Sequence, residues 1–288
     1  MERSYTKNIR FRDGAGKLHA FSTGMVAVKQ KFKTAQGGSF TSKIRFLLDT
    51  VFTEFLPIWV WVIEHPEGIF VIDTGENSRV NTKDYFKQEG PVMNWINTTQ
   101  FKFIVSPEEE IDRQLFNLNL SPERITHVLL THLHLDHIDG LKHFDPEKVI
   151  VHDLEWDHPS FALRSLYPKN FIPKRLAFTS LNKPGLTWGF PVTKAKDLFM
   201  VATPGHTRGH SSVLVETQEL SYLLAGDATY DEQQLCLEIP AGAHQNFALA
   251  KQTFKHIKQY ARQQQTVYLP SHDPLAIDRI ISGHYLRV

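Results

Sequence analysis

One six-residue stretch, His132-Leu133-His134-Leu135-Asp136-His137, limits what this chain can become more than any other. It supplies four side chains able to bind a metal, and it follows the apolar run Val128-Leu129-Leu130 almost without a break. Three side chains of the same chemistry close later apolar runs: His206 in Thr203-Pro204-Gly205-His206, Asp227 in Ala225-Gly226-Asp227, and His272 in Pro270-Ser271-His272-Asp273. Five imidazoles and two carboxylates are enough to hold two divalent ions side by side. A fold that uses them must gather several strand ends at one place, where loops converge on a common point. A lone histidine at a strand end is ordinarily a polar group at a surface turn. His65, His143, His152, His158, His244, His256 and His284 are read that way.

Ligation needs lone pairs converging within about 2.0–2.2 Å of an ion. His132 and His134 alternate with leucines, so an extended loop turns both imidazoles to one side. Asp136 and His137 follow at once and can turn toward a second ion. Imidazole and carboxylate without thiolate suit zinc, manganese, iron or cobalt better than a cysteine-type structural zinc site. Gly205 and Gly226 let the backbone pass close to the site without a Cβ clash. Two divalent ions bring about four positive charges, of which Asp136, Asp227 and a bridging hydroxide cancel about three. The remainder binds a substrate oxygen and lowers the pKa of bound water from 15.7 toward roughly 7. This is the donor set of a hydrolytic metalloenzyme.

The rest of the chain agrees with such a soluble enzyme. Lys plus Arg number 32 against 31 Asp plus Glu, and this balance argues against a dedicated nucleic-acid surface. No apolar run approaches the roughly 20 residues that span a bilayer, and the first twenty residues lack the apolar core of a secretion signal. Cys236 is the only cysteine, so no internal disulfide forms, and the cytoplasm is the expected location. With no linker and no low-complexity segment, residues 1–288 read as one domain with a core over about 20–280.

Its first 75 residues look β-rich. Gly24–Val28, Ile44–Leu48, Ile58–Ile63 and Gly68–Ile72 are predicted strands, the last two joined by the turn His65-Pro66-Glu67-Gly68 and ending in Asp73-Thr74-Gly75. Residues 76–105 are polar and aromatic without a strong period, a connection long enough to suggest function. Helices are expected over Pro107–Leu118, Ile138–Phe144 and Phe247–Gln263, with helix and loop over 153–176. Ile125–Leu130, Val149–Val151, Leu198–Ala202, Ser212–Val215, Tyr222–Ala225 and Thr266–Leu269 are further strands. Strands in both halves with helices between them predict an α/β fold of two packed sheets with helices outside.

His132-x-His134-x-Asp136-His137, followed in order by His206, Asp227 and His272, resembles the metallo-β-lactamase superfamily. The likeness covers about residues 20–280. It implies a four-layer αβ/βα sandwich with the metals at one edge between the sheets. It also implies one ion on His132, His134 and His206 and another on Asp136, His137 and His272, bridged by Asp227 and a hydroxide, zinc being the expected metal. Asp73 looks like the aspartate that supports the metal loop from behind.

Within the superfamily the chain is most similar to N-acyl-homoserine lactonases, which destroy quorum-sensing signals. His134-Leu135-Asp136-His137-Ile138-Asp139-Gly140 reads like their metal loop, and Tyr230 stands three residues after Asp227 as it does in that family. This likeness implies an acyl-lactone substrate and suggests a homodimer, while the lack of a spanning apolar run argues against a membrane partner. The expected chemistry is attack of the hydroxide on the lactone carbonyl. Tyr230 then helps hold the oxyanion, and Asp136 carries the proton to the leaving alkoxide. Two aromatic groups, Phe86, Trp95, Phe101 and Phe103 and then Trp156, Phe161, Tyr167 and Phe171, are candidates to enclose the acyl chain, against ordinary core packing. His210 and Ser211 sit next to the His206 turn and are not expected to be ligands. The alternative is another metal-dependent esterase, or a phosphodiester or phosphotriester hydrolase, on the same site.

Overall fold

A computed structural model describes residues 3–35 and 39–288. The first sheet is built from β1 (Ser4–Phe11), β2 (Gly14–Val28), β3 (Leu56–His65), β4 (Gly68–Ile72), β5 (Phe101–Ile104), β6 (His127–Leu129), β7 (Val149–His152) and β8 (Lys174–Leu176). They lie in the order β1-β2-β3-β4-β6-β7-β8, and β5 pairs with β2. The second sheet holds β9 (Thr179–Ser180), β10 (Trp188–Pro191), β11 (Leu198–Ala202), β12 (Ser211–Glu216), β13 (Ser221–Gly226) and β14 (Thr266–Pro270), in the order β14-β13-β12-β11-β10-β9. The helices are α1 (Gln30–Lys33), α2 (Ser39–Leu47), α3 (Gly90–Gln100), α4 (Ile111–Asn117), α5 (Leu135–Ile138), α6 (Asp153–Asp157), α7 (Glu232–Leu237), α8 (Phe247–Ala261) and α9 (Ala276–Ser282).

Side chains two apart on a strand share a face, and this divides the core into layers. Trp59, Trp61 and Ile63 of β3 face Leu198, Met200, Val213 and Leu224 of the other sheet. The alternate residues Val60 and Val62 turn outward onto Ile111 and Leu115 of α4. In β13, Leu224 points between the sheets and Leu223 packs with Phe254 and Ile257 of α8. Each such buried side chain contributes roughly 1.5–3 kcal/mol. Helix α8 buries Ala250, Phe254, Ile257 and Ala261, one stripe at helical spacing, and starts where Asn246 accepts a hydrogen bond from the Leu249 amide. The result is the four-layer αβ/βα sandwich expected from the sequence.

Parallel strands give the molecule its working edge. β4, β6 and β7 run parallel, as do β13 and β14. Their C-terminal ends, with that of β11, deliver Asp73, the His132–His137 segment, Asp227, His272 and His206. Main-chain bonds cross between the two sheets here: Ser211 N–H donates to Thr131 O (2.9 Å) and Trp59 N–H to Ser271 O (2.9 Å).

Three expected elements differ. Ile44–Leu48 is no strand; residues to Leu47 end α2. A short apolar run without alternation suits either element, and here Phe46 packs edge-on against Phe32, 5.2 Å between ring centroids. The helix expected from Ile138 begins earlier, at Leu135, inside the metal-capable motif, with a separate 3₁₀ turn at Leu141–His143. Pro107–Leu118 is broken at Glu110, whose backbone is extended. The long 76–105 connection carries α3 and β5. No helix among the described residues is long and apolar enough to cross a membrane.

Candidate metal centre

His134 is extended (φ −74°, ψ 158°) and caps the single turn of α5. Up to His134 the chain therefore shows alternate side chains to one side. Beyond it the helical turn swings Asp136 and His137 elsewhere. Two groups of donors result. His132, His134, His206 and Asp227 form one; Asp136, His137 and His272 form the other, and within each the donor atoms lie within 4.8 Å of one another. All seven side chains singled out from the sequence come together.

Asp227 faces both groups. Its Oδ2 lies 3.5 Å from His206 Nε2 and 3.9 Å from His132 Nε2. Its Oδ1 lies 3.3 Å from His137 Nε2 and 3.4 Å from His272 Nε2. Asp136 stands 3.3 Å from His272 Nε2 and 3.7 Å from His137 Nε2. Donors set tetrahedrally at about 2.1 Å around an ion are roughly 3.4 Å apart, so this spacing is that of ligands around a cation. His132 Nε2, His137 Nε2 and Asp227 Oδ1 are buried without a hydrogen-bond partner. Leaving such atoms unpaired costs about 1–3 kcal/mol each. A cation held between them removes that cost, so the residues fit a metal.

The electrostatics point the same way. Burial pushes the His132 and His206 imidazoles well below their ordinary range and His134 to about 4, so all three rings are neutral, and His206 Nε2 and His134 Nδ1 share a hydrogen bond of 2.9 Å. Burial opposes charge on His137 and His272 too, but Asp73 and Asp227 outweigh it at His137, and Asp227 with Asp136 raises His272 to about 10. Burial would raise Asp227, yet His272 and His137 hold it well below the carboxylate range. Without a metal, the second group therefore keeps positive charge beside both aspartates.

Surrounding residues aim the rings. Asp73 accepts from the Thr131 amide (2.8 Å), the Thr131 hydroxyl (2.9 Å) and His137 Nδ1 (2.7 Å), while its own φ is +60°. A non-glycine residue in that conformation is held there by its surroundings. His272 Nδ1 donates to Pro57 O (2.9 Å), leaving Nε2 free to face the aspartates. His210 Nδ1 lies 3.0 Å from Thr203 O, and its Nε2 accepts from the Asp227 amide (3.0 Å). It is no ligand; it holds the backbone of Asp227. Gly226 sits at φ +56°, and a Cβ there would meet His210 Nε2 at 2.8 Å, as expected of a close approach. Gly205 makes room for α8 instead: its Cβ would lie 2.5 Å from Ala250 Cα.

The surface-turn reading fails for His65, His152 and His244, all buried. His65 pairs with Asp197 (3.1 Å). His152 reaches Gly209 O (3.0 Å), and His244 reaches Ala228 O (3.0 Å) with its ring 5.4 Å from that of His206. Glu155, unnoticed in the sequence, is fully buried and accepts from the Leu133 amide and the Thr207 hydroxyl, neighbours of the His132, His134 and His206 ligand candidates. Only its place in the fold reveals it.

A cavity of about 270 Å³ opens onto the cluster. Its apolar walls include Val26, Val28, Phe32, Phe46, Met93, Ile96, Phe101, Phe103 and Phe161, and its floor His134, Asp136, His206, Asp227, Tyr230 and His272. Of the eight aromatic candidates, Phe101, Phe103 and Phe161 line it. Phe86 and Phe171 are buried in the core instead, Trp156 and Tyr167 pack partly buried against it, and Trp95 is about half exposed. Tyr230 is buried with its ring stacked on His272, 5.3 Å between centroids. Burial, then Asp227 and Asp136, pushes its hydroxyl well above the ordinary tyrosine range, so it stays a neutral donor.

Comparison with known proteins places this architecture. An N-acyl homoserine lactonase of a Bacillus species is 28% identical over 224 residues, covering 76% of this chain and 82% of the relative. The N-acyl homoserine lactonase AttM of Agrobacterium fabrum is 26% identical over 232 residues, with the same coverage, 76% and 82%. The structure of an N-acyl homoserine lactone hydrolase with N-hexanoyl-L-homoserine at its catalytic metal center superposes with a TM-score of 0.73, at 20% identity, over 97% of this chain and 100% of that one. AidC, a dizinc quorum-quenching lactonase, superposes at 0.63 and 16% identity over 95% and 92%. These superpositions establish the shared fold. The sequence profile of the metallo-beta-lactamase superfamily matches residues 53–262. That match runs from β3 through α8 and takes in six of the seven clustered donors, so the chain belongs to the metallo-beta-lactamase superfamily.

Proposed function

We propose that this protein hydrolyses the lactone ring of N-acyl-homoserine lactones, with residues 1–288 acting as one catalytic domain. The observation that carries the reading is an apolar cavity whose floor holds five of the seven clustered donors, His134, Asp136, His206, Asp227 and His272, with Tyr230 beside them. A polar ring over the donors and an alkyl chain along the walls match that division, and each CH₂ buried contributes about 0.8 kcal/mol. The Bacillus and Agrobacterium relatives bear the same named activity.

His132, His134 and His206 would hold one ion, Asp136, His137 and His272 another, and Asp227 both. Such a pair supplies a water activated near neutral pH and polarises a carbonyl group. The residues do the rest. The neutral Tyr230 hydroxyl donates to the carbonyl oxygen as negative charge develops there. Asp136, kept ionised because His137 and His272 outweigh its burial, takes the proton of the attacking water and returns it to the departing ring oxygen. The cavity walls orient the acyl chain and exclude bulk water from that end. The product is an N-acyl-homoserine.

Zinc is the proposed metal for both positions, supported by the imidazole and carboxylate donors and by the dizinc relative AidC. A cytoplasmic homodimer is proposed with it, on the single cysteine and the family resemblance. Metal analysis, light scattering and cell fractionation check these points. The activity is tested by following acid release at constant pH from short- and long-chain acyl-homoserine lactones, with a phosphodiester, a phosphotriester and a β-lactam alongside. Acid release from the lactones alone is expected. Turnover of a phosphoester with none of the lactones would overturn the reading.

A further inference from the structure

Glu155 lies on α6, immediately after β7, and its carboxyl is fully buried. An isolated buried carboxyl is costly, so its partners say what it is for. One oxygen accepts from the Leu133 amide at 3.1 Å, between His132 and His134. The other accepts from the Thr207 hydroxyl at 2.6 Å, next to His206. The second loop is pressed onto the same corner: a Cβ on Gly209 would lie 2.1 Å from the Glu155 nitrogen, and His152 at the end of β7 bonds Gly209 O. One side chain thus joins the two loops, from different sheets, whose three histidines make up one donor group. The other group does not lean on Glu155. His137 rests on Asp73 and His272 on Pro57 O; Glu155 makes no hydrogen bond to either.

We propose that Glu155 is a positioning residue that ties the His132–His134 loop to the His206 loop and so sets one of two metal positions without touching the other. It rests on the two-ion reading above. Residues that orient ligands typically change metal affinity 10–100-fold when removed, and the asymmetry between the positions is what a merely structural residue would not produce.

The test is chelator competition on the zinc-loaded protein, read as ions retained per chain. Wild type is expected to release two ions in separable steps. In Glu155→Ala one ion is expected to weaken by about 10–100-fold while the other keeps wild-type affinity. Glu155→Gln keeps an acceptor for the Leu133 amide and can donate to the Thr207 oxygen, so it is expected within about threefold of wild type. Thr207→Val should weaken the same ion, and it decides the matter if Glu155→Ala does not fold. The proposal is overturned if both ions weaken together, if neither does, or if Glu155→Gln is as damaged as Glu155→Ala. A wild type that binds a single ion would instead bring down the two-ion reading, whatever the variants do.

Discussion

Asp227 presents one carboxylate oxygen to each donor group, so a change there should be felt by both. Asp227→Asn keeps the shape but removes the negative charge between the imidazoles. Metal analysis is expected to find both ions lost, with hydrolysis lost in parallel; two ions per chain in the variant would exclude the bridging role. Tyr230→Phe removes only a hydroxyl. A kcat lower by about 10²-fold with KM nearly unchanged is expected, since the donor acts as charge develops. Full activity would exclude Tyr230 from the chemistry. Glu155 makes a prediction about pH. Burial lifts its carboxyl from 4.5 to about 7, against the Thr207, Leu133 and Gly209 donors. A raised carboxyl stabilises fully below its unfolded value and loses that contribution as pH climbs through the folded one. In the metal-free protein this amounts to about 3 kcal/mol lost between pH 4.5 and pH 7 and above. Glu155→Gln should remove this slope. Denaturant midpoints of variant and wild type should coincide near pH 4 and separate by pH 8, the variant being the more stable.

Helix α3 and strand β5 turn the long 76–105 connection into a cavity wall, and the acyl-chain dependence of the reaction belongs to them. Ile96→Ala, on α3, should cost a decanoyl substrate roughly fivefold in kcat/KM, about 1 kcal/mol of lost apolar contact, and a butanoyl substrate much less. Equal losses on both would separate α3 from chain recognition. This wall was only half legible in the sequence. Phe101 and Phe103 were visible as aromatics, but which of eight aromatics face the cavity depends on how α2 and α3 pack. The donors were far easier to read. Each sits beside an apolar strand in sequence, and the strand carries it to the edge, so local pattern and tertiary position coincide at His132, His206, Asp227 and His272. Glu155 and His244 lacked that coincidence. Their partners, Leu133 and Thr207 for one and Ala228 for the other, are distant in the chain, and nothing local distinguishes them. Ile44–Leu48 was misread because a bare apolar run carries no period to tell helix from strand.

Across the whole molecule, the donor cluster is also a clasp. Four donors follow β6 of one sheet; His206, Asp227 and His272 follow strands of the other. Two ions bound at 100 times their dissociation constants would each add about 2.7 kcal/mol. Stripping them with chelator should lower the melting temperature by roughly 10–20 °C in a chain of this size, and added zinc should restore it. A melting point indifferent to chelator would mean that the sheets hold together without them.

The division of donors between the sheets has a consequence for biosynthesis. As the polypeptide leaves the ribosome, residues up to His137 offer four donors. The third histidine of one group follows some seventy residues later, and His272 about as far again behind it. A nascent chain therefore has no complete nest for an ion. Loading becomes a late event, and a captured cation certifies that the two halves have already docked.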